Sequence, residues 1–346
     1  MYPYAIFRQD ALREPPYRLY QLNQKGYRYY YRFNAEGKPE LFPSVTTILH
    51  EVMPMSPFLL DWMLEQGKEQ AIEKRDTAAA YGSLMHGQFE RLIVNREYDF
   101  DAVGEVVAEY LMRENLPEKL FQEWCYELRK DVLAFAQFIK DWSVKPYAIE
   151  IGLVHPTQYY AGCIDMPCQL TNPKTGEVFD AIVDFKSGRK GFYEAHELQL
   201  FMYRDMWNEN YPDKPIERVF NFSPKDWRKE PTYNFKEQTD SKAIDLLPNY
   251  LAIAAIKDEQ RSREVLVISG QYKLNEGAPA DNVLRLEIAD LIKLRAEEMK
   301  PKQKKRSYSC RKKPKTHKNR VKIARRSLGY IIIYPKLKLP LKRIFK

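Results

Sequence analysis

The chain reads as an α/β protein of the α+β kind, with a central mixed β-sheet flanked by helices. Three observations predict that class. Helical periodicity runs from residue 58 to 142, strand-like segments cluster between 148 and 186, and helices and strands then follow one another to about residue 299.

Residues 27–33 (Tyr-Arg-Tyr-Tyr-Tyr-Arg-Phe) read as a strand, with Tyr27, Tyr29, Tyr31 and Phe33 on one face and Arg28 and Arg32 on the other. Asn34-Ala-Glu-Gly-Lys-Pro39 supplies the turn of a hairpin, which makes 1–40 an N-terminal extension. Two uses of the aromatic face are open: a place in the core, or a platform for single-stranded bases. In Pro43-Ser-Val-Thr-Thr-Ile-Leu49, Ser44 is placed to cap a short helix.

The spacing predicts helices over 58–75 and 77–95, and over 105–142 with a break near Asn115-Leu-Pro117. Strands follow at 148–154, 159–165 and 178–186, the last two joined by a hairpin loop at Asn172-Pro-Lys-Thr-Gly176. A helix at 194–209 precedes strands at 218–222 and 232–236. Helices at 241–258 and 286–299 then bracket a strand at Glu264-Val-Leu-Val-Ile268.

The 346 residues carry a net charge of +9, but the charge is unevenly placed. Residues 301–346 hold 18 Lys+Arg and no Asp or Glu, which leaves 38 basic against 47 acidic residues, a net of −9, in 1–300. One folded domain over 1–300 and a disordered basic tail over 301–346 are expected. The tail reads as a DNA-tethering arm, as a segment without a selected role, or as an altered reading frame from Ser307 onward. No apolar run approaches the roughly 20 residues of a membrane span, and no secretory signal opens the chain, so a cytoplasmic protein is expected. The cysteines Cys125, Cys163, Cys168 and Cys310 are too scattered for a disulfide framework, a structural zinc site or an iron–sulfur cluster.

The chemistry concentrates around Asp184-Phe-Lys186, at the end of the apolar run Ala181-Ile-Val183. Period two puts Asp184 and Lys186 on one strand face, where an ammonium and a carboxylate are costly unless paired or used. Asp240-Ser-Lys242 has the same spacing in a polar setting and reads as a helix start. Upstream of Asp184, Gly162-Cys-Ile-Asp165 adds a carboxylate on a neighbouring hairpin strand, and Glu150 ends the strand-like Tyr147-Ala-Ile-Glu150. Downstream, Gln199 and Tyr203 lie one turn apart on the 194–209 helix. Gly82, His86 and Glu90 form one helical stripe beside the apolar stripe of Tyr81, Met85, Phe89 and Leu92. His50, His155 and His196 lack such company and read as structural.

Taken in order, Gly82/His86, Glu150, Gly162-x-x-Asp165, Asp184-x-Lys186 and Gln199-x-x-x-Tyr203 resemble the RecB-type branch of the PD-(D/E)XK nuclease superfamily. Pro43-Ser-Val-Thr-Thr-Ile-Leu49 is similar to a phrase of the phage and mitochondrial single-strand exonucleases of that branch. Ser223-Pro-Lys-Asp-Trp227 resembles segments of its phage members. The resemblance implies a restriction-endonuclease-like core with helical insertions. It also implies a divalent-metal-dependent DNA exonuclease, acting on ends or single strands in replication, recombination or repair.

Independently of the resemblance, phosphodiester hydrolysis needs an activated water and relief of charge, which hard cations on carboxylates supply. Asp165 and Asp184 are the expected ligands of Mg²⁺ or Mn²⁺, and Lys186 the group that positions or deprotonates the water. The resemblance adds the Phe185 carbonyl and His86 to the metal shell. It assigns Glu150 a supporting place, and gives Gln199 and Tyr203 the task of orienting Lys186 or the phosphate backbone. A structure-specific endonuclease, or a non-catalytic DNA-binding or packaging protein with the same fold, are the alternatives.

Overall fold

The computed structural model describes residues 12–268, apart from Glu14, Arg18, 25–26, 34–38, Lys190 and Asp240. The turn after residue 33, the helix expected at 286–299, Cys310 and the tail 301–346 lie outside the described residues. By internal contacts the chain divides into Met1–Glu264 and Val265–Lys346, and of the second only the helical residues 265–268 are described. No described helix is long and apolar enough to cross a membrane.

Three antiparallel strands, β1 (Tyr20–Gln24), β2 (Tyr27–Phe33) and β3 (Pro39–Pro43), open the described chain. Strand β2 is central; Tyr29 and Tyr31 are buried, as a place in the core requires, and Tyr30 on the opposite face is buried as well, so both faces are covered. Helix α1 (Val45–Val52) starts where Ser44 Oγ accepts the Thr47 amide at 3.0 Å, a cap worth about 0.5–2 kcal/mol. Thr47 Oγ1 in turn accepts from Arg28 N and donates to Arg28 O, both at 2.9 Å, tying α1 to β2.

Helices α2 (Pro57–Gln66) and α3 (Lys68–Asn95) meet at Gly67, whose φ of 76° suits glycine. The break therefore falls nine residues earlier than the periodicity suggested, because an apolar pattern alone does not mark a left-handed joint. Helices α4 (Val103–Arg113) and α5 (Phe121–Asp141) are separated at Asn115 and Pro117 as expected.

A five-stranded sheet in the order β10-β9-β8-β7-β4 forms the centre. Its members are β4 (Lys145–Pro146), β7 (Met166–Thr171), β8 (Val178–Phe185), β9 (Arg218–Pro224) and β10 (Tyr233–Glu237). Only β8 and β9 run parallel, joined through helix α6 (Glu194–Asn210), so the sheet is mixed. Strands β5 (Ile151–Val154) and β6 (Ala161–Ile164) form a separate antiparallel pair.

This corrects three expectations. The partner of β8 across the 172–176 loop is β7 rather than the 159–165 segment. Glu150 precedes β5 in a left-handed conformation instead of ending a strand. Residues 264–268 continue helix α7 (Ser241–Ile268) instead of forming a strand.

Strand β8 is buried on both faces, and its alternation divides the core. Ala181, Val183 and Phe185 point to α3, α4 and α5, where they join Phe89, Phe135, Phe138, Phe220 and Phe222. Ile182 points the other way, to α1, α6 and α7, with Leu198, Phe201, Trp207 and Val219. Phe89 and Phe135 stack at 4.2 Å, with Phe185 edge-on to both at 5.4 and 5.1 Å. Phe135→Ala is expected to cost about 3–5 kcal/mol, read as a lower denaturation midpoint with an unchanged m-value.

Candidate active site

The end of β8 is where the two halves of the core meet. Phe185 sends its ring to the α3 side, while Asp184 and Lys186 face the α6 side. Helix α3 brings His86 against the strand end, with its ring edge-on to Phe185 and its Nε2 3.1 Å from the Phe185 carbonyl oxygen. One turn earlier the fit is tight, since a Cβ on Gly82 would stand 3.3 Å from Ser187 Oγ.

Asp165 lies at the step from β6 into β7, so one residue links the small sheet to the large one. Its Oδ2 accepts the Phe185 amide at 2.6 Å, and its Oδ1 is 3.6 Å from His86 Nδ1. Glu150 closes the group, with Oε1 3.0 Å from His86 Nδ1 and its own amide donating to the Asp165 carbonyl at 2.8 Å. Its φ of 45° costs a non-glycine residue about 1–3 kcal/mol, which the surrounding contacts hold in place. Cys163 donates its thiol to the other Glu150 oxygen at 3.3 Å.

On the α6 side the groups form a line. Lys186 Nζ is 2.7 Å from Asp184 Oδ2 and donates to Gln199 Oε1 at 3.1 Å. Gln199 Nε2 donates to Tyr203 OH at 2.9 Å, and the Tyr203 ring lies over Gly162, where a Cβ would be 2.6 Å from Cε1. The spacing of Gly162 and Tyr203 is thus a steric fit. Gly82, His86, Glu150, Gly162, Asp165, Asp184, Lys186, Gln199 and Tyr203 converge here, with Glu90 at the more exposed margin, near enough to feel Glu150.

Charge crowding defines the electrostatics. Burial raises Asp165 well above the usual carboxylate range, and Glu150 and Asp184 add to it against the pull of His86. Burial and then Glu150 also raise Glu90. For His86 burial acts downward, but Asp165 and Glu150 overcome it and lift the imidazole to about 9. Both its ring nitrogens face oxygen acceptors, as suits an imidazolium.

A divalent cation fits this set on three grounds. Ligand atoms of His86, Glu150 and Asp165 lie within 4.8 Å of one another. Oδ1 of Asp184 is buried and lacks a hydrogen-bond partner among the described residues. Oxygen donors with one imidazole suit hard divalent ions.

A family model for the PD-(D/E)XK nuclease superfamily matches residues 59–312. The chain belongs to the PD-(D/E)XK nuclease superfamily. No curated protein matches it. Its fold, a mixed sheet with helices on both faces, is restriction-endonuclease-like, and divalent metals are the cofactors of such nucleases.

Several residues around this cluster went unread in the sequence. Asn221 lies beside Asp184 on β9 and donates to it, and its one signal is that it is a lone amide in the apolar Val219–Phe222 run. Arg189 pins the loop after β8 by pairing with Glu127 and Asp131 of α5, while Tyr81 donates to the second Asp131 oxygen at 2.7 Å. Its signal was an Asp on the buried face of α5. In Ser223-Pro-Lys-Asp-Trp227, Trp227 Nε1 donates to the Lys130 carbonyl at 3.3 Å and Asp226 sits 3.4 Å from Arg189, so the phrase locks β9 to α5. Among the other histidines, His155 Nδ1 accepts the Gln158 amide, His196 Nδ1 accepts the Tyr193 amide, and His50 packs edge-on to Tyr27.

Two outcomes follow from this geometry. Gly162→Ala is expected to displace Tyr203, cost about 1–3 kcal/mol as overpacking does, and loosen the Gln199 contact, which unfolding and cleavage measured together will show. Burial and then Lys186 hold His196 down to about 3, so the folded chain disfavours its protonation. Its contribution is complete above about pH 6.5 and declines as the pH falls toward 3, by at most about 1.4 kcal/mol per unit. His196→Gln should flatten that stretch of the stability curve in urea titrations.

Proposed function

We propose that the chain is a metal-dependent DNA exonuclease of the RecB-like branch, acting in the cytoplasm on DNA ends or single strands during replication, recombination or repair. The observation that carries the reading is the convergence of His86, Glu150 and Asp165 on the strand end that bears Asp184 and Lys186. One nuclease domain over 1–300, followed by a basic tail, belongs to the same proposal.

His86, Asp165, the free Asp184 oxygen and the Phe185 carbonyl would hold Mg²⁺ or Mn²⁺, with Glu150 completing the set. When bound, the cation supplies charge neutralisation at the phosphoryl oxygens and acidifies water. Lys186 has three N–H donors, of which Asp184 and Gln199 occupy two, and the third is available to the attacking water or a phosphoryl oxygen. Gln199 keeps the ammonium from collapsing onto Asp184 alone, and Tyr203 holds Gln199. Burial keeps the Tyr203 phenol protonated, so no further negative charge enters the site.

The test uses end-labelled linear and circular DNA, single- and double-stranded, with Mg²⁺ or Mn²⁺. Linear substrates are expected to be degraded and circles spared, with Asp184→Asn and Lys186→Ala at least about 10²-fold slower. Cutting of circles would replace the exonuclease reading with an endonuclease one. Absence of metal-dependent cutting would overturn the enzyme reading, and wild-type rates in both variants would overturn the site.

A further inference from the structure

We propose that Asn221, itself fixed by Gln238, is the positioning residue for Asp184. It holds one carboxylate oxygen in place and leaves the other free for a divalent cation. The inference rests on the metal-centre reading above and adds to it the device that aims a ligand.

Asp184 and Asn221 are direct partners in the parallel β8–β9 register, so their side chains leave the sheet on the same face. Asn221 is 0% exposed and sits within the apolar stretch of Val219, Phe220 and Phe222. An amide in that setting is costly unless hydrogen-bonded. Its bonds are directional. Gln238 Nε2 donates to Asn221 Oδ1 at 2.7 Å, which fixes the amide so that Nδ2 faces Asp184 and donates to Oδ2 at 2.8 Å. Gln238 is buried and is placed by its own backbone, whose amide donates to the Val219 carbonyl at 2.9 Å.

Lys186 Nζ stands 2.7 Å from the same Oδ2. Among the described residues both donors that reach Asp184 therefore converge on one oxygen, while Oδ1 is buried without a partner. A pair serving stability alone would spread its donors over both oxygens, because an unmade hydrogen bond on a buried acceptor costs about 1–3 kcal/mol. Loading one oxygen twice and the other not at all sets the plane of the carboxylate and reserves Oδ1 for a cation. The two amides thus carry orientation from the end of β10 to the end of β8.

The experiment uses the full chain and two substitutions. Asn221→Leu removes the donor at similar volume. Gln238→Glu keeps Asn221 but sets an acceptor against its Oδ1, which drives the amide to turn its oxygen toward Asp184. Mn²⁺ affinity is measured by calorimetry, beside cleavage at saturating Mn²⁺ and melting without metal. Both variants are expected to bind Mn²⁺ about 10–100-fold more weakly, as outer partners of metal ligands do. Asn221→Leu should lower the affinity no further in an Asp184→Asn background.

Unchanged Mn²⁺ affinity in the folded variants, with wild type binding and cleaving, overturns the positioning role and leaves the metal centre standing. An equal loss with and without the Asp184 carboxylate also overturns it, since a merely structural effect is indifferent to that group. If Asn221→Leu does not fold, Gln238→Glu decides. A wild-type chain that binds no Mn²⁺ overturns the metal-centre reading, and the positioning role falls with it.

Discussion

Three carboxylates, Glu150, Asp165 and Asp184, are gathered at the end of one strand with little water to screen them, and the surrounding structure depends on how that charge is met. Ionised groups are rarely buried without partners, since desolvation exceeds what a single neighbour returns. The fold meets part of the cost with His86 from one side and Lys186 from the other. The unmet remainder, expressed in the raised Asp165 and the orphaned Asp184 oxygen, is what the cation of the proposed metal centre would meet. A core filled only for stability would have no reason to hold it.

That arrangement explains the layering. The sheet has to be covered on both faces, because His86 comes from a helix on one and Gln199 from a helix on the other. The aromatic packing of Phe89, Phe135 and Phe185 fixes the depth at which His86 reaches the strand end, while Gly82 and Gly162 permit the close approaches that larger residues would block. Gly162 is a steric requirement of the site, and Gly82 keeps a tight contact with Ser187 open.

Much of this was legible in the sequence where local chemistry speaks alone. Ser44 caps as its residue type suggests, and the break at Asn115 and Pro117 falls where turn-formers stand. Asp184-x-Lys186 stands out because charge follows an apolar run. What was illegible depends on partners distant in the chain. Strand β7, Met-Pro-Cys-Gln-Leu-Thr, has few strand-forming residues and exists because β8 lies beside it. Val265-Leu-Val-Ile268 looks like a strand, but the helix that begins at Ser241 carries it along. Tyr30 breaks the alternation of β2 because that strand is covered on both sides. Asn221 gives no outward sign of its task, since its meaning lies in the Asp184 it faces across the sheet.

The distribution of the site along the chain has a consequence for its history in time. His86 meets the Phe185 carbonyl across 99 positions, and Asn221 meets Gln238 only after α6 and two further strands have been made. No short contiguous piece holds more than a fragment of the cluster. The residues up to Asn95 hold only His86 of the cluster, and the remaining groups are supplied by residues 150–238. The cluster is thus a product of the completed fold, and no nascent stretch short of residue 238 carries it whole.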